Sequence, residues 1–129
     1  MIFPTTDPTR LIQMRDSIYA TDLLILATGR LDFFSWLSDN PSNFENICSH
    51  FKLDPRPADV MLTLFHSYEL VYKQEGIFYN SPLAEEHLTS ESSWSLVPYY
   101  AIQTERPIVD KMYEVLTTGV PASWGGKMD

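Results

Sequence analysis

Between residues 42 and 79 the apolar positions fall into two helical stripes and then two short alternating runs, and the rest of the chain is arranged around that block. Ser42 with Glu45 three residues later forms a capping box and predicts a helix start there. Phe44, Ile47, Cys48 and Phe51 recur at i, i+3, i+4 and i+7, one apolar face of a helix. Residues 52–57 (Lys-Leu-Asp-Pro-Arg-Pro) stop it, because a residue before proline is pushed out of the helical region. Pro57 suits the first turn of a second helix, where a missing N–H costs little. Met61, Leu64, Phe65 and Tyr68 repeat the stripe there. The runs 71–74 and 77–80 flank Glu75-Gly76, a hairpin signal. Two helices that each bury one stripe, closed by a hairpin, predict a mainly α winged helix-turn-helix with a two-stranded β-wing.

On the N-terminal side, Asp7-Pro8 is a helix-start signal, and a helical pattern runs from there to about Thr28. Leu11, Met14, Ile18 and Ile25 mark one face; Ile12, Tyr19, Leu23 and Leu26 mark another. Residues 23–27 are apolar on every side, whereas a surface helix of a small domain shows one stripe. Such a helix needs two neighbours. Its own core supplies one, and a second chain is the simplest source of the other; a central helix wrapped by its own chain is the alternative. Gly29 ends or bends this helix. Leu31, Phe33, Phe34, Trp36 and Leu37 then predict a short apolar helix closed by Ser38-Asp39-Asn40-Pro41.

After the wing, Ser81 caps a short helix containing Leu83, Ala84 and Leu88. The polar run 89–93 is a loop. Residues 94–102 have helical periodicity, with Pro98 in the first turn or at a bend. Arg106-Pro107 opens a last helix carrying Ile108, Val109, Met112, Tyr113 and Leu116, and Gly119 and Pro121 stop it.

Composition narrows the function classes. The chain has 129 residues, enough for one domain with helical extensions, and its 44% apolar and 20% charged content is ordinary for a globular protein. Its longest apolar run, 23–27, is far short of a membrane span. The first seven residues lack the basic and apolar regions of a signal peptide. One cysteine excludes an internal disulfide and fits a reducing, cytoplasmic compartment. Cys48 sits on the first stripe of the helix-turn-helix, where packing explains it better than reactivity.

No residue set carries chemistry. His50, His66 and His87 are too far apart for a ligand pair, Glu85-Glu86-His87 reads as a solvated helix face, and the five glycines form no phosphate-cradling loop. The expectation is therefore no catalytic, cofactor-binding or metal-binding residue in this chain. A winged helix is most often a DNA reader, and a transcriptional regulator is the alternative function. Yet the second helix offers Ala58, Asp59, Thr63, His66 and Ser67 at its polar positions. Arg56 and Lys73 are the cations nearby, and a net charge of −8 repels phosphate. A free-standing sensor walled by Trp36, Trp94, Tyr99 and Tyr100 is a third possibility, against the simpler reading of these rings as core and surface aromatics.

The order of elements resembles the N-terminal domain of the S-adenosylmethionine-dependent O-methyltransferases. Residues 20–37 (ATDLLILATGRLDFFSWL) resemble that family's apolar helix and its Leu-x-x-Phe-x-x-Leu segment. Residues 43–51 correspond to its next helix, and 58–71 (ADVMLTLFHSYELV) to its r-x-L-x-x-L helix. Residues 76–88 (GIFYNSPLAEEHL) resemble G-x-Y-x-N-S-x-x-A-x-x-x-L, and 112–119 (MYEVLTTG) the L-x-x-x-L-x-T-G helix at the hinge. Thr28, Gly29, Asn46 and Ser49 depart from the family's smoother apolar or small residues.

The resemblance implies a winged-helix dimerisation domain over 1–121, with 122–129 as a tail or the start of a hinge to a catalytic domain absent from this chain. The family's glycine-rich cofactor loop and catalytic histidine lie in that absent part, so neither is carried onto a residue here. It implies a homodimer whose subunits help wall each other's pocket for a phenolic or polyketide-like substrate. S-adenosylmethionine is expected only in the catalytic domain, and no nucleic acid or membrane is expected. The interface residues expected on this reading are Leu11, Ile18, Leu23, Leu24, Ile25, Phe33 and Phe34.

Overall fold

The computed structural model describes residues 20–120. Residues 20–25 (α1) are α-helical and pass into a π-helical turn, Leu26–Arg30, in which the N–H of Leu31 donates to the carbonyl of Leu26 at 3.1 Å. Such a turn re-aims the residues after it, which is the bend expected at Gly29. The expected start of this helix at Asp7-Pro8 lies outside the described residues. Helix α2 (Phe33–Asp39) begins from Asp32, whose φ of 50° turns the chain sharply. It drives Phe33, Phe34 and Leu37 into the centre of the molecule, all fully buried.

Helix α3 (Phe44–Phe51) starts one residue later than its capping-box signal. Asn43 is the cap, its side chain accepting from the N–H of Asn46 at 2.8 Å. Ser42 has another task. Its carbonyl accepts from the N–H of Phe78 at 2.8 Å in a bridge to the wing, and its hydroxyl donates to the carbonyl of Asn40. Helix α4 (Pro55–Ser67) begins two residues before Pro57, because Asp54 caps it and Pro55 takes the first position. Met61 and Phe65 are buried as expected. Tyr68 is not: it stands 44% exposed, and Ala58, expected on the polar side, is buried instead.

Strands β1 (Val71–Gln74) and β2 (Ile77–Asn80) pair antiparallel, Val71 opposite Asn80 and Gln74 opposite Ile77. Glu75 at φ 53° and Gly76 at φ 81° give the doubly left-handed turn that matches the twist of a two-residue hairpin. Helix α5 (Pro82–His87) is capped by Ser81, which accepts from the N–H of Ala84. Residues 94–96 are not helical, and α6 (Val97–Ile102) begins with Pro98 in its first turn. A 3-10 turn (Gln103–Glu105) leads to α7 (Pro107–Thr118), which ends at Gly119 with φ 75°.

Four phenylalanines from three helices make the core. Phe33 meets Phe34 edge-on at 5.0 Å between ring centres, and both reach Phe65 of α4, at 6.1 and 5.3 Å. Phe51 closes the cluster against Phe33 at 5.6 Å. Polar ties fix the periphery. Buried Asn80 donates to the carbonyl of Phe34 and to Glu85, and Ser38 donates to the same carboxylate, so the end of the wing is locked to α2 and α5. Asp32 accepts from Ser35 and Ser90, which tethers the loop after α5 to the start of α2.

Candidate functional site

The surface most unlike an ordinary solvated face surrounds α1. Ile25, Leu26 and Ala27 are fully buried, but Leu23 and Leu24, one step earlier, are only partly covered. Successive helical residues point about 100° apart, so these two leucines open on opposite flanks. Leu23 faces a groove of about 310 Å³ walled by Pro57 and Val60 of α4 and by Met112, Val115 and Leu116 of α7. Leu24 faces a second, of about 240 Å³, walled by Leu64, Phe65 and Tyr68 of α4 and by Leu70. Both are almost wholly apolar, and the one charged group among their linings is Arg56.

Three of the expected interface residues are corrected by this geometry. Ile25, Phe33 and Phe34 are 0% exposed and committed to the chain's own core, so they have no surface to offer a partner. Their apolar character was legible; which face it served was not. Leu11 and Ile18 lie outside the described residues. Val60, 57% exposed, off the buried stripe of α4 and on the Leu23 groove, was not singled out from the sequence. An apolar residue out of phase with its own helix's stripe was the readable signal.

The outward surface of α4, where a DNA reader needs cations, carries Asp59, Thr63 and His66. Between it and the wing lies a cleft of about 210 Å³ lined also by Leu62, Lys73 and Phe78. Lys73 rests its ammonium 5.2 Å above the ring of Phe78. The aromatic residues weighed as sensor walls line none of these three clefts. Trp36 stacks on His50 at 4.3 Å, Trp94 and Tyr99 stand 68% and 66% exposed, and none of them lines either groove.

Cys48 is buried, and burial raises its thiol above the ordinary range, with the negative charges of Glu45 and Asp54 adding to the effect. That environment suppresses the thiolate, the reverse of what a nucleophile needs. Among the described residues no three His, Cys, Asp or Glu side chains gather in a metal-holding group, and no helix is long and apolar enough to cross a membrane.

No protein-family model and no curated protein sequence matches the chain. Solved structures do. An O-methyltransferase family 2 protein from Planctomyces limnophilus, in complex with apigenin, is 25% identical with a TM-score of 0.82, over 94% of this chain and 36% of its own. Human N-acetylserotonin methyltransferase, in complex with SAM, matches at 20% identity and a TM-score of 0.66, over 95% of this chain and 41% of its own. An O-methyltransferase family protein from Burkholderia thailandensis matches at 20% and 0.62, over 79% and 30%. The chain thus spans less than half the length of each of these three structures. Over nearly its whole length this chain is similar in fold to the O-methyltransferase family 2 proteins, and the share it matches is consistent with their N-terminal domain.

Proposed function

We propose that residues 1–121 are the homodimerising N-terminal module of a small-molecule S-adenosylmethionine-dependent O-methyltransferase, with 122–129 beginning the hinge to its catalytic domain. The module is non-catalytic by itself. S-adenosylmethionine and a phenolic or polyketide-like acceptor bind to the catalytic domain, and the module of one subunit helps to wall its partner's substrate pocket. The single observation that carries this reading is the match over nearly the full chain to an O-methyltransferase solved with the polyphenol apigenin. The apolar flanks of α1 support it, because an exposed apolar surface of this kind marks an interaction site.

On this reading Leu23 and Leu24 belong to the subunit contact, together with Leu11 and Ile18 of the same sequence pattern. The protein is cytoplasmic, in keeping with its lone reduced cysteine, and it engages neither membrane nor nucleic acid. A duplex reader neutralises several phosphates, while the outer face of α4 presents an aspartate. Replacing Leu24 by Glu tests the contact. The partly exposed site accepts the carboxylate without unfolding, and light scattering should show loss of the dimer. A dimer that survives both Leu23→Glu and Leu24→Glu would move the contact elsewhere.

A further inference from the structure

The chain leaves the described fold at the Leu23 groove. Met112, Val115, Leu116 and Gly119 recur at i, i+3, i+4 and i+7 along α7, so this wall of the groove runs about 10 Å back from the end of the helix. Gly119 is the last of the lining residues. Its N–H donates to the carbonyl of Val115 at 2.8 Å, and its φ of 75° turns the chain off the helix axis. The N–H of Val120 then donates to the hydroxyl of Thr118 at 3.2 Å, which sets the direction of exit, and Val120 stands 65% exposed. Residues 119–126 (Gly-Val-Pro-Ala-Ser-Trp-Gly-Gly) carry no charged side chain, although the chain as a whole is 20% charged. Trp124 is the one large side chain between Val120 and Lys127.

We propose that this groove is covered from within the chain, by the indole of Trp124. Reach permits it: four residues beyond Val120 span at most about 14 Å, more than the length of the α7 wall. Size agrees, since a groove of about 310 Å³ lies at the lower limit of ligand pockets and suits one large side chain. A tryptophan buries roughly 150–250 Å², and Val60, 57% exposed, is the apolar lining residue left open to it. The chemistry matches as well. The lining is apolar except for Arg56, an exposed cation for which an indole face is the best aromatic partner. Connectivity selects this occupant over the others. The N-terminal segment enters at Ala20, which lines the Leu24 groove and not this one. A tethered ring meets the groove at an effective concentration on the order of millimolar, an advantage that no separate molecule has. The inference rests on the hinge reading of 122–129 and deepens it: the hinge to the catalytic domain starts after Trp124, and residues 120–124 travel with the module. The flank at Leu23 then presents the indole beside the leucine, and the flank at Leu24 is unaffected.

The test follows the emission of Trp124 alone, in the whole chain carrying Trp36→Phe and Trp94→Phe. Neither of these residues lines the groove. The expected result is a blue-shifted emission, protected from acrylamide, that moves to the red on unfolding. Val60→Glu should move it to the red in the folded chain and raise acrylamide quenching several-fold, while Val60→Leu should leave both unchanged. Far-UV circular dichroism checks that each variant folds. Trp124→Ser in the otherwise unaltered chain should remove the same protected component, a readout that needs neither phenylalanine replacement. The readings are repeated on dilution and in Leu24→Glu, which separates the subunits without touching this groove. Protection that persists there marks a ring docked within its own chain. Protection lost there would assign the cover to the second copy and overturn the proposal. A Trp124 emission in the folded chain identical to that of the unfolded chain would also overturn it, and would leave the homodimer and hinge readings standing. A chain that stays monomeric at every concentration yet keeps Trp124 protected would support this contact and overturn the homodimer.

Discussion

The carbonyl oxygen of Tyr100 lies 2.8 Å from the position that a Cβ on Gly29 would occupy, and the Thr104 methyl lies 2.7 Å from it. The backbone of α6 is therefore seated directly on the π-helical turn that ends α1. Gly29 is required for this approach and not for an unusual φ, since its backbone lies outside the left-handed region. Gly29→Ala should lower stability by roughly 1–3 kcal/mol, the usual cost of forcing atoms into a packed contact. A thermal melt checks it; a variant as stable as the wild type would mean that α6 is free to move away.

Two arginines tie α1 to α7, and the longer contact should matter more. Arg106 reaches the carboxylate of Asp22 at 2.8 Å, and that carboxylate is only 6% exposed. Arg30 reaches Asp110 at 2.6 Å, but both groups are open to solvent, at 37% and 68%. Removing Arg106 strands a buried charge and should cost about 1–3 kcal/mol. Removing Arg30 loses an exposed pair together with its stacking over Tyr113, about 1 kcal/mol or less. Denaturant titration of the two alanine variants would expose a reversed order.

Gly119 ends α7 with φ 75°, and a Cβ there would stand 2.6 Å from the carboxyl carbon of Asp54. Asp54 caps α4, so the end of one helix and the start of another share this spot. Gly119→Ala combines left-handed strain with a displaced cap and should cost roughly 1–3 kcal/mol. Gly76→Ala, with nothing within 4 Å, meets only the backbone strain and should cost about 1 kcal/mol. Equal melting temperatures for the two variants would remove Asp54 from the explanation.

The raised Cys48 thiol has a pH consequence. Both folded and unfolded thiols hold their proton below about pH 8.5, the ordinary value, and the contribution to stability is then fully present. As pH climbs towards the higher folded value, only the unfolded chain loses its proton, so stability falls. Cys48→Ala should flatten that alkaline decline. The native thiol should also react with a disulfide reagent at neutral pH far more slowly than the denatured one; equal rates would contradict its burial.

Most of the fold was legible because its signals are local. The Ser81 cap, the Glu75-Gly76 turn, the Gly119 stop and the helical stripes each depend on a few neighbouring residues. The misreadings share a cause, which is long-range competition. Ser42 carried a valid capping pattern but was claimed by Phe78 across the wing, so Asn43 took the cap. Phe33 and Phe34 were correctly seen as apolar, yet a sequence cannot say whether a ring faces its own core or another chain. The groove beside Leu23 joins α1, α4 and α7, and the one beside Leu24 joins α1 to α4; no periodicity within one element reports such a meeting.

The central claim is that two copies of this chain associate through apolar surface that the fold leaves uncovered, and sedimentation equilibrium of the wild-type chain tests it most directly. A species of twice the chain mass at tens of micromolar, dissociating on dilution by mass action, is the result expected. A single monomeric species across that range would contradict it.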